Sequence, residues 1–213
     1  MEFEQVVRGR RSIRKYQDRE VSTDLILKAI ELATWAPNNG GFQAWKFYVV
    51  KSREVIDKIC DAVQAKVDLM ASWPEADEVR ETIDRHQAKC AFFRPAPVLI
   101  VVGMGGYQGP ADKVLAKRDS SDPDAQQMIA DRKATASRAQ TVAAATMLLE
   151  LAIHSLGLGS CWLAGPMLAR KEIAELVGAP DDVQLFCVVS VGYPAEEKVA
   201  APRKPLEEVV KFI

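Results

Sequence analysis

Metal-ligating residues are scarce in this chain. It holds two histidines, His86 and His154, and four cysteines, Cys60, Cys90, Cys161 and Cys187. No C-x-x-C pair, H-x-x-x-H pair or Cys/His cluster occurs, so no zinc-type ligand pattern is present. In a chain of 213 residues the widely spaced cysteines are not needed as staples, and they read as reduced, buried thiols of a cytoplasmic protein. The first stretch is polar and basic with no apolar core, so no export signal is read there. The most apolar run, VAAATMLLELAI, is too short for a bilayer and contains Glu150, which argues against membrane association. Net charge is −1, which argues against a surface built to coat nucleic acid or anionic lipid. Neither G-x-x-x-x-G-K-[ST] nor G-x-G-x-x-G is found, which removes the common nucleotide loops.

What remains is ordinary globular usage, 48 % apolar and 27 % charged, in one expected α+β domain over residues 1–213. Ile26, Ile30 and Ala33 recur at helical spacing behind a Ser22-Thr23 cap, and Pro37 ends that helix. Residues 46–50, 96–103 and 183–191 are apolar, β-branched runs that read as strands. The pattern over 133–155 is the longest helical one, closed by Gly157. A polar helical excursion is expected at about 71–94, starting near Trp73-Pro74. The glycine, proline and charge mixture at about 105–127 reads as a loop excursion.

Four stretches can carry chemistry. GRRSIRKY crowds Arg10, Arg11, Arg14 and Lys15 around Ser12. Guanidinium forks suit a phosphate, and a solvated basic turn is the plain alternative. APNNGGFQAW offers Asn38, Asn39 and Gln43, amides able to read a heteroaromatic edge, or else an ordinary helix-to-strand loop. GLGSCWLAGP concentrates glycine where only a turn is needed. Its Cys161 has no base nearby in sequence except His154, and reads as structural rather than nucleophilic. VGYPAEEKVAAPRKPLEEVV ends in a tail that carries Arg203 and Lys204.

In this order and spacing, the four stretches resemble the nitroreductase family of FMN-dependent oxidoreductases, from Val6 to Val210. The resemblance implies a nitroreductase-like α+β fold, with a mixed, mainly antiparallel sheet flanked by helices. It also implies a homodimer built on a long central helix, about 134–156. Arg10, Arg11 and Ser12 would hold the FMN phosphate, and Arg14 would lie near the ribityl chain or pyrimidine edge. Pro37, Asn38 and Asn39 would pass under the flavin, and Gln43 would meet its edge, with Trp45 as a packing residue. Leu163, Ala164 and Gly165 would face the reactive edge, with the Gly165 N–H near N5. Arg203 would bind phosphate, and Lys204 would compensate for Ala201, which stands where the family carries a basic residue. Gly41 replaces the usual Asn and Ala44 the usual Pro, which leaves Asn39 as the nearby amide. Phe92, Phe93, Trp73 and Tyr107 are candidates for a roof, with core packing favoured for the two phenylalanines.

The implied activity is reduction of a nitroaromatic, quinone or similar small-molecule acceptor by NADH or NADPH, through a two-step hydride transfer at flavin N5. No catalytic side chain is expected. The alternatives are a flavin-dependent dehydrogenase, a dehalogenase, a flavin-processing enzyme, a non-catalytic FMN-binding protein, or a purely structural helical dimer.

Overall fold

A computed structural model describes residues 2–213. Twelve regular elements follow in the order α1 (Phe3–Gly9), α2 (Thr23–Ala33), β1 (Trp45–Val50), α3 (Arg53–Ala71), α4 (Arg80–Gln87), β2 (Val98–Met104), α5 (Pro110–Leu115), α6 (Pro123–Thr135), α7 (Ser137–Ser155), β3 (Gly159–Leu163), α8 (Arg170–Val177) and β4 (Gln184–Gly192).

The four strands form one sheet in the order β1-β2-β4-β3, and every neighbouring pair is antiparallel. The expected mixed sheet is therefore wholly antiparallel. The parallel pairing is a single isolated bridge that joins Ser12, outside the strands, to Ser160 of β3. β2 is buried along its whole length and alternates between two cores. Val98, Ile100, Val102 and Met104 face α2 and α7, where Ile26, Ala29, Val142, Ala145 and Leu149 pack. Leu99 and Val101 face α3 and α8, where Ile56, Ile59, Val63 and Ile173 pack. The period of two in the side chains thus feeds helices on both faces.

Three expectations change. GSCWL is strand β3 rather than a turn; it borrows its ladder from β4, and Gly159 leaves the space that Ile13 fills, since a Cβ there would lie 2.8 Å from Ile13 Cγ1. The stretch 105–127 is not simply a loop. It holds α5, where Pro110 sits in the first turn and Asp112 accepts from the Gly109 N–H. It also holds the start of α6, where Asp122 caps the Asp124 and Ala125 N–H groups. The helical run that ends at Ser155 begins at Pro123 and is broken at Ala136, whose φ of 49° is left-handed. Among the described residues no helix is long and apolar enough to cross a membrane.

Candidate functional site

The arginine cluster leaves α1 and is stitched into the end of the sheet. Ile13 N–H donates to the Ser160 carbonyl of β3 at 2.8 Å. Three residues on, Tyr16 pairs with Pro194 beyond β4, and the Ala195 N–H donates to the Lys15 carbonyl at 3.0 Å. The Tyr16 hydroxyl, buried and held far above its ordinary pKa by desolvation, lies 2.8 Å from Ser190 Oγ. Glu196 accepts from the Arg14 N–H at 2.6 Å and the Lys15 N–H at 3.2 Å. Burial works to raise the Glu196 carboxyl, but these amides and Lys198 outweigh it and hold it below the usual range. The backbone from residue 12 to 17 is thus fixed between β3 and the chain that follows β4.

Arg10 and Arg11 are the half-buried cations of the cluster, whereas Arg14 and Lys15 are exposed. Arg10 pairs with a carboxylate of α7. Its Nη1 lies 3.7 Å from Glu150 Oε2, ion-pair distance but beyond a hydrogen bond. That Nη1 and the Nε of Arg11 are buried with no hydrogen-bond partner. Buried guanidinium N–H groups left unpaired are costly and seek an acceptor. Nearby His154 is held below its ordinary pKa, first by burial and then by Arg10 and Arg11. The field here is positive, and it disfavours one more cation.

Arg14 faces the other way, into a cavity of ≈ 1070 Å³ that also takes in Leu163, Ala164 and Gly165. The guanidinium sits 5.8 Å from the Phe92 ring centroid, and Phe92 and Trp162 supply apolar wall. Ala164 and Gly165 open a short 3-10 turn, and a Cβ on Gly165 would meet nothing within 4 Å. The backbone there is bare on its open side. The volume lies at the top of the range for small-molecule sites, enough for a planar cofactor and a second ring.

The structure brings Arg14, Leu163, Ala164 and Gly165 together and sets Arg10, Arg11 and Ser12 on the strand-like segment leading to them. It does not bring the amide loop to them. Asn39 and Gln43 line a separate small void with Tyr107 and Arg138. The Asn39 N–H donates to Thr141 Oγ1 at 3.4 Å, and the Gln43 N–H to Asn38 Oδ1 at 3.1 Å. Gln43 has a φ of 49°, a left-handed backbone that costs about 1–2 kcal/mol for a non-glycine residue. Pro37 is exposed at the head of this loop. Arg203 and Lys204 lie in an exposed tail: Arg203 donates to the Ala201 and Pro202 carbonyls, and Lys204 pairs with Glu208. Of the roof candidates, Phe93 is fully buried core, Phe92 lines the cavity, Trp73 is exposed, and Tyr107 packs on Phe42 with ring centroids 5.0 Å apart. Trp45 is core, as its packing role requires.

The thiols are inert by environment. All four cysteines are buried and unpaired, and burial pushes Cys187 up to about 12 and Cys60 to about 11. Cys161, raised chiefly by burial, is no poised nucleophile. Among the described residues no group of three His, Cys, Asp or Glu side chains is placed to hold a metal ion.

Sequence reasoning missed the α4 residues of the cavity. Thr82, Arg85 and His86 of α4, with Lys89 in the turn after it, line it together with Arg14. Their spacing, i, i+3, i+4, i+7, was a readable signal for a single helix face.

A two-faced antiparallel sheet flanked by helices, with a large cavity at the end of β3, defines a class: an α+β protein with a site for a small molecule. The chain belongs to the nitroreductase family, whose profile matches residues 7–193, and is an oxidoreductase of that family. It is 31 % identical, over 89 % of this chain and 83 % of the relative, to an Archaeoglobus fulgidus protein named "Putative NADH dehydrogenase/NAD(P)H nitroreductase". Its fold matches a BluB-like flavoprotein from Clostridium difficile 630 with a TM-score of 0.88 and 28 % identity, covering 100 % of this chain and 99 % of that one. A nitroreductase with bound FMN from Desulfitobacterium hafniense shares the fold at a TM-score of 0.71 and 20 % identity, covering 99 % and 97 % of the two chains.

Proposed function

We propose that this protein is an FMN-dependent reductase that takes electrons from NADH or NADPH and passes them to a small electron-poor acceptor, a nitroaromatic or a quinone. Donor and acceptor use one cavity in turn. The observation that carries the reading is the segment Arg10–Arg14, where Arg10 Nη1 and Arg11 Nε are buried atoms without a hydrogen-bond partner and Arg14 enters the cavity beside Gly165.

The residues present fit the cofactor. Arg10, Arg11 and Ser12 supply charge-assisted donors for a phosphate. FMN, when bound, supplies hydride acceptance and donation at N5. Arg14 would bring positive charge to the bound ring, which would favour its electron-rich form. The bare N–H of Gly165 is a donor for the reactive edge. Phe92 and Trp162 keep water from one wall, and a proton for the acceptor comes from solvent.

The reading includes a homodimer with the cofactor at the interface. In one chain the Pro37–Asn38–Asn39 loop and Gln43 do not share the cavity, and a second copy would bring them to it. Large apolar side chains stand exposed on the surface and along the tail: Trp35, Phe42, Val199, Leu206, Phe212 and Ile213. Several of these, Val199, Leu206, Phe212 and Ile213, fall within one stretch of the tail, 199–213, which offers apolar surface for a second copy to cover. Arg203 and Lys204 lie on that same tail, and docking it would move them from solvent toward the phosphate.

The test is the visible spectrum of the purified protein before and after anaerobic NADH or NADPH. Oxidised flavin bands that bleach are expected. Bands that persist would assign a carrier, and loss of FMN with turnover would assign flavin processing. Arg10→Ala combined with Arg203→Ala should yield protein largely free of flavin, and stoichiometric FMN in that variant would sink the assignment.

A further inference from the structure

The α4 side of the cavity carries more positive charge than a single phosphate-bearing cofactor needs. Thr82, Arg85, His86 and Lys89 present one face to it. Two acids of the same segment, Asp77 and Asp84, pair with Arg80 and do not line the cavity, while Glu81, also outside the lining, holds Arg85 at 2.8 Å in an exposed pair that an entering anion can exchange. Arg14, Lys15 and Lys198 complete the cationic lining. Against them stands Glu196, already engaged by Lys198 at 3.4 Å and by two backbone N–H groups. Among the described residues, Arg14, Lys15 and Lys89 have no carboxylate within ion-pair distance.

We infer that the acceptor reduced in this cavity is an aromatic carboxylate, or a ring bearing a comparable anion, with the anion taken by Lys89, which has no carboxylate partner among the described residues, and by Arg85 in exchange for Glu81. The inference rests on the FMN-reductase reading and names the substrate class of that site. Three features support it. The cofactor's phosphate has its own partners on the Arg10–Ser12 segment, on a different element from α4. Phe92 and Trp162 supply apolar and aromatic wall beside these cations, which suits a ring with a charged end. The walls focus the field, so an anion is concentrated and oriented as it enters.

The probe pair is 4-nitrobenzoate and its methyl ester. For each, ArNO2 + NAD(P)H + H+ gives ArNO + NAD(P)+ + H2O, with the nitro group reduced by two electrons and one oxygen leaving as water. With FMN-loaded protein at low salt, kcat/KM for the acid should exceed that for the ester by about tenfold, as a charge-assisted contact implies. The advantage should shrink with added salt. In Arg85→Gln/Lys89→Gln the acid-to-ester ratio should fall to near one.

A second readout needs no turnover. Benzoate should perturb the oxidised flavin spectrum at lower concentration than benzamide, and the double variant should erase that difference. Equal kcat/KM for acid and ester in the parent protein overturns the inference and leaves the reductase reading standing. So does a double variant that slows bleaching by NADH or NADPH while keeping the acid-to-ester ratio, because α4 would then serve the donor's phosphates. A colourless protein that takes up no FMN overturns both readings together.

Discussion

Glu150 is a carboxylate on the buried side of α7, where the pattern of Val142, Ala145, Leu149 and Ile153 calls for apolar groups. It is 4 % exposed. Its Oε1 accepts from Ser160 Oγ at 3.1 Å, and its Oε2 faces Arg10. Burial raises its pKa, outweighing Arg10, Ser160 and the Trp162 N–H, which all act to lower it. A folded pKa above the unfolded one means that the native state holds the proton more tightly. The stability from this residue is therefore full below the ordinary carboxylate range and is lost as pH rises through the raised value. Glu150→Gln removes that slope. The unfolding midpoint of the parent, measured relative to the Gln variant, should fall as pH is taken from about 4 to about 8. A difference that is flat or rises with pH would mean that Arg10 governs the carboxylate after all. None of this was visible in the sequence, where Glu150 only interrupts an apolar run. Arg10 was visible as a candidate anion ligand because its chemistry is local to GRRSIRKY; its buried partner comes from another element.

At the scale of elements, three strands announced themselves because WKFYVV, VLIVVGM and QLFCVVSVG are rich in β-branched and aromatic residues. β3 did not, because GSCWL has little strand propensity of its own and is fixed by what lies beside it. Gly159 is the hinge of that arrangement, since a Cβ there would lie 2.8 to 3.0 Å from three atoms of Ile13. Gly159→Val should push the arginine segment off β3 and cost about 1–3 kcal/mol in denaturant unfolding. FMN retention should drop with it. Gly165→Ala is the contrast: its Cβ meets no protein atom within 4 Å, so stability should stay within about 0.5 kcal/mol while the cavity's bare edge is filled. If the Val variant is as stable as the parent, the close approach of residues 13 and 159 does not set the site. The α5 and α6 helices were missed for a different reason. Their cap signals, Pro110 with Asp112 and Asp122 with Pro123, are local, but glycine and charge around them masked a helical reading.

At the scale of the whole molecule, four motifs were legible in the sequence as candidates, and within one chain they do not all meet. Arg14 and Gly165 share a cavity, Asn39 and Gln43 face another space, and Arg203 lies on a tail whose apolar side chains rest on nothing. Phe212 is 95 % exposed and Leu206 74 %. Burying side chains of this size is worth about 1.5–3 kcal/mol each, so an undocked tail of this composition is a strong drive for association. A second copy related by a two-fold axis would cover the tail and bring the amide loop to the cavity in one step. The expected outcome is a dimer at micromolar concentration by light scattering after size exclusion. Removal of residues 195–213 should weaken that dimer and release FMN together. The same deletion also removes Glu196, so a second variant is needed. Leu206→Ser combined with Phe212→Ser leaves the Glu196 contacts intact and should again lower dimer affinity, and FMN occupancy with it. If the serine variant stays dimeric and fully flavinylated, the tail is a solvated extension. The amide loop must then find its partner by another route, and the interface must be sought at Trp35 and Phe42 instead.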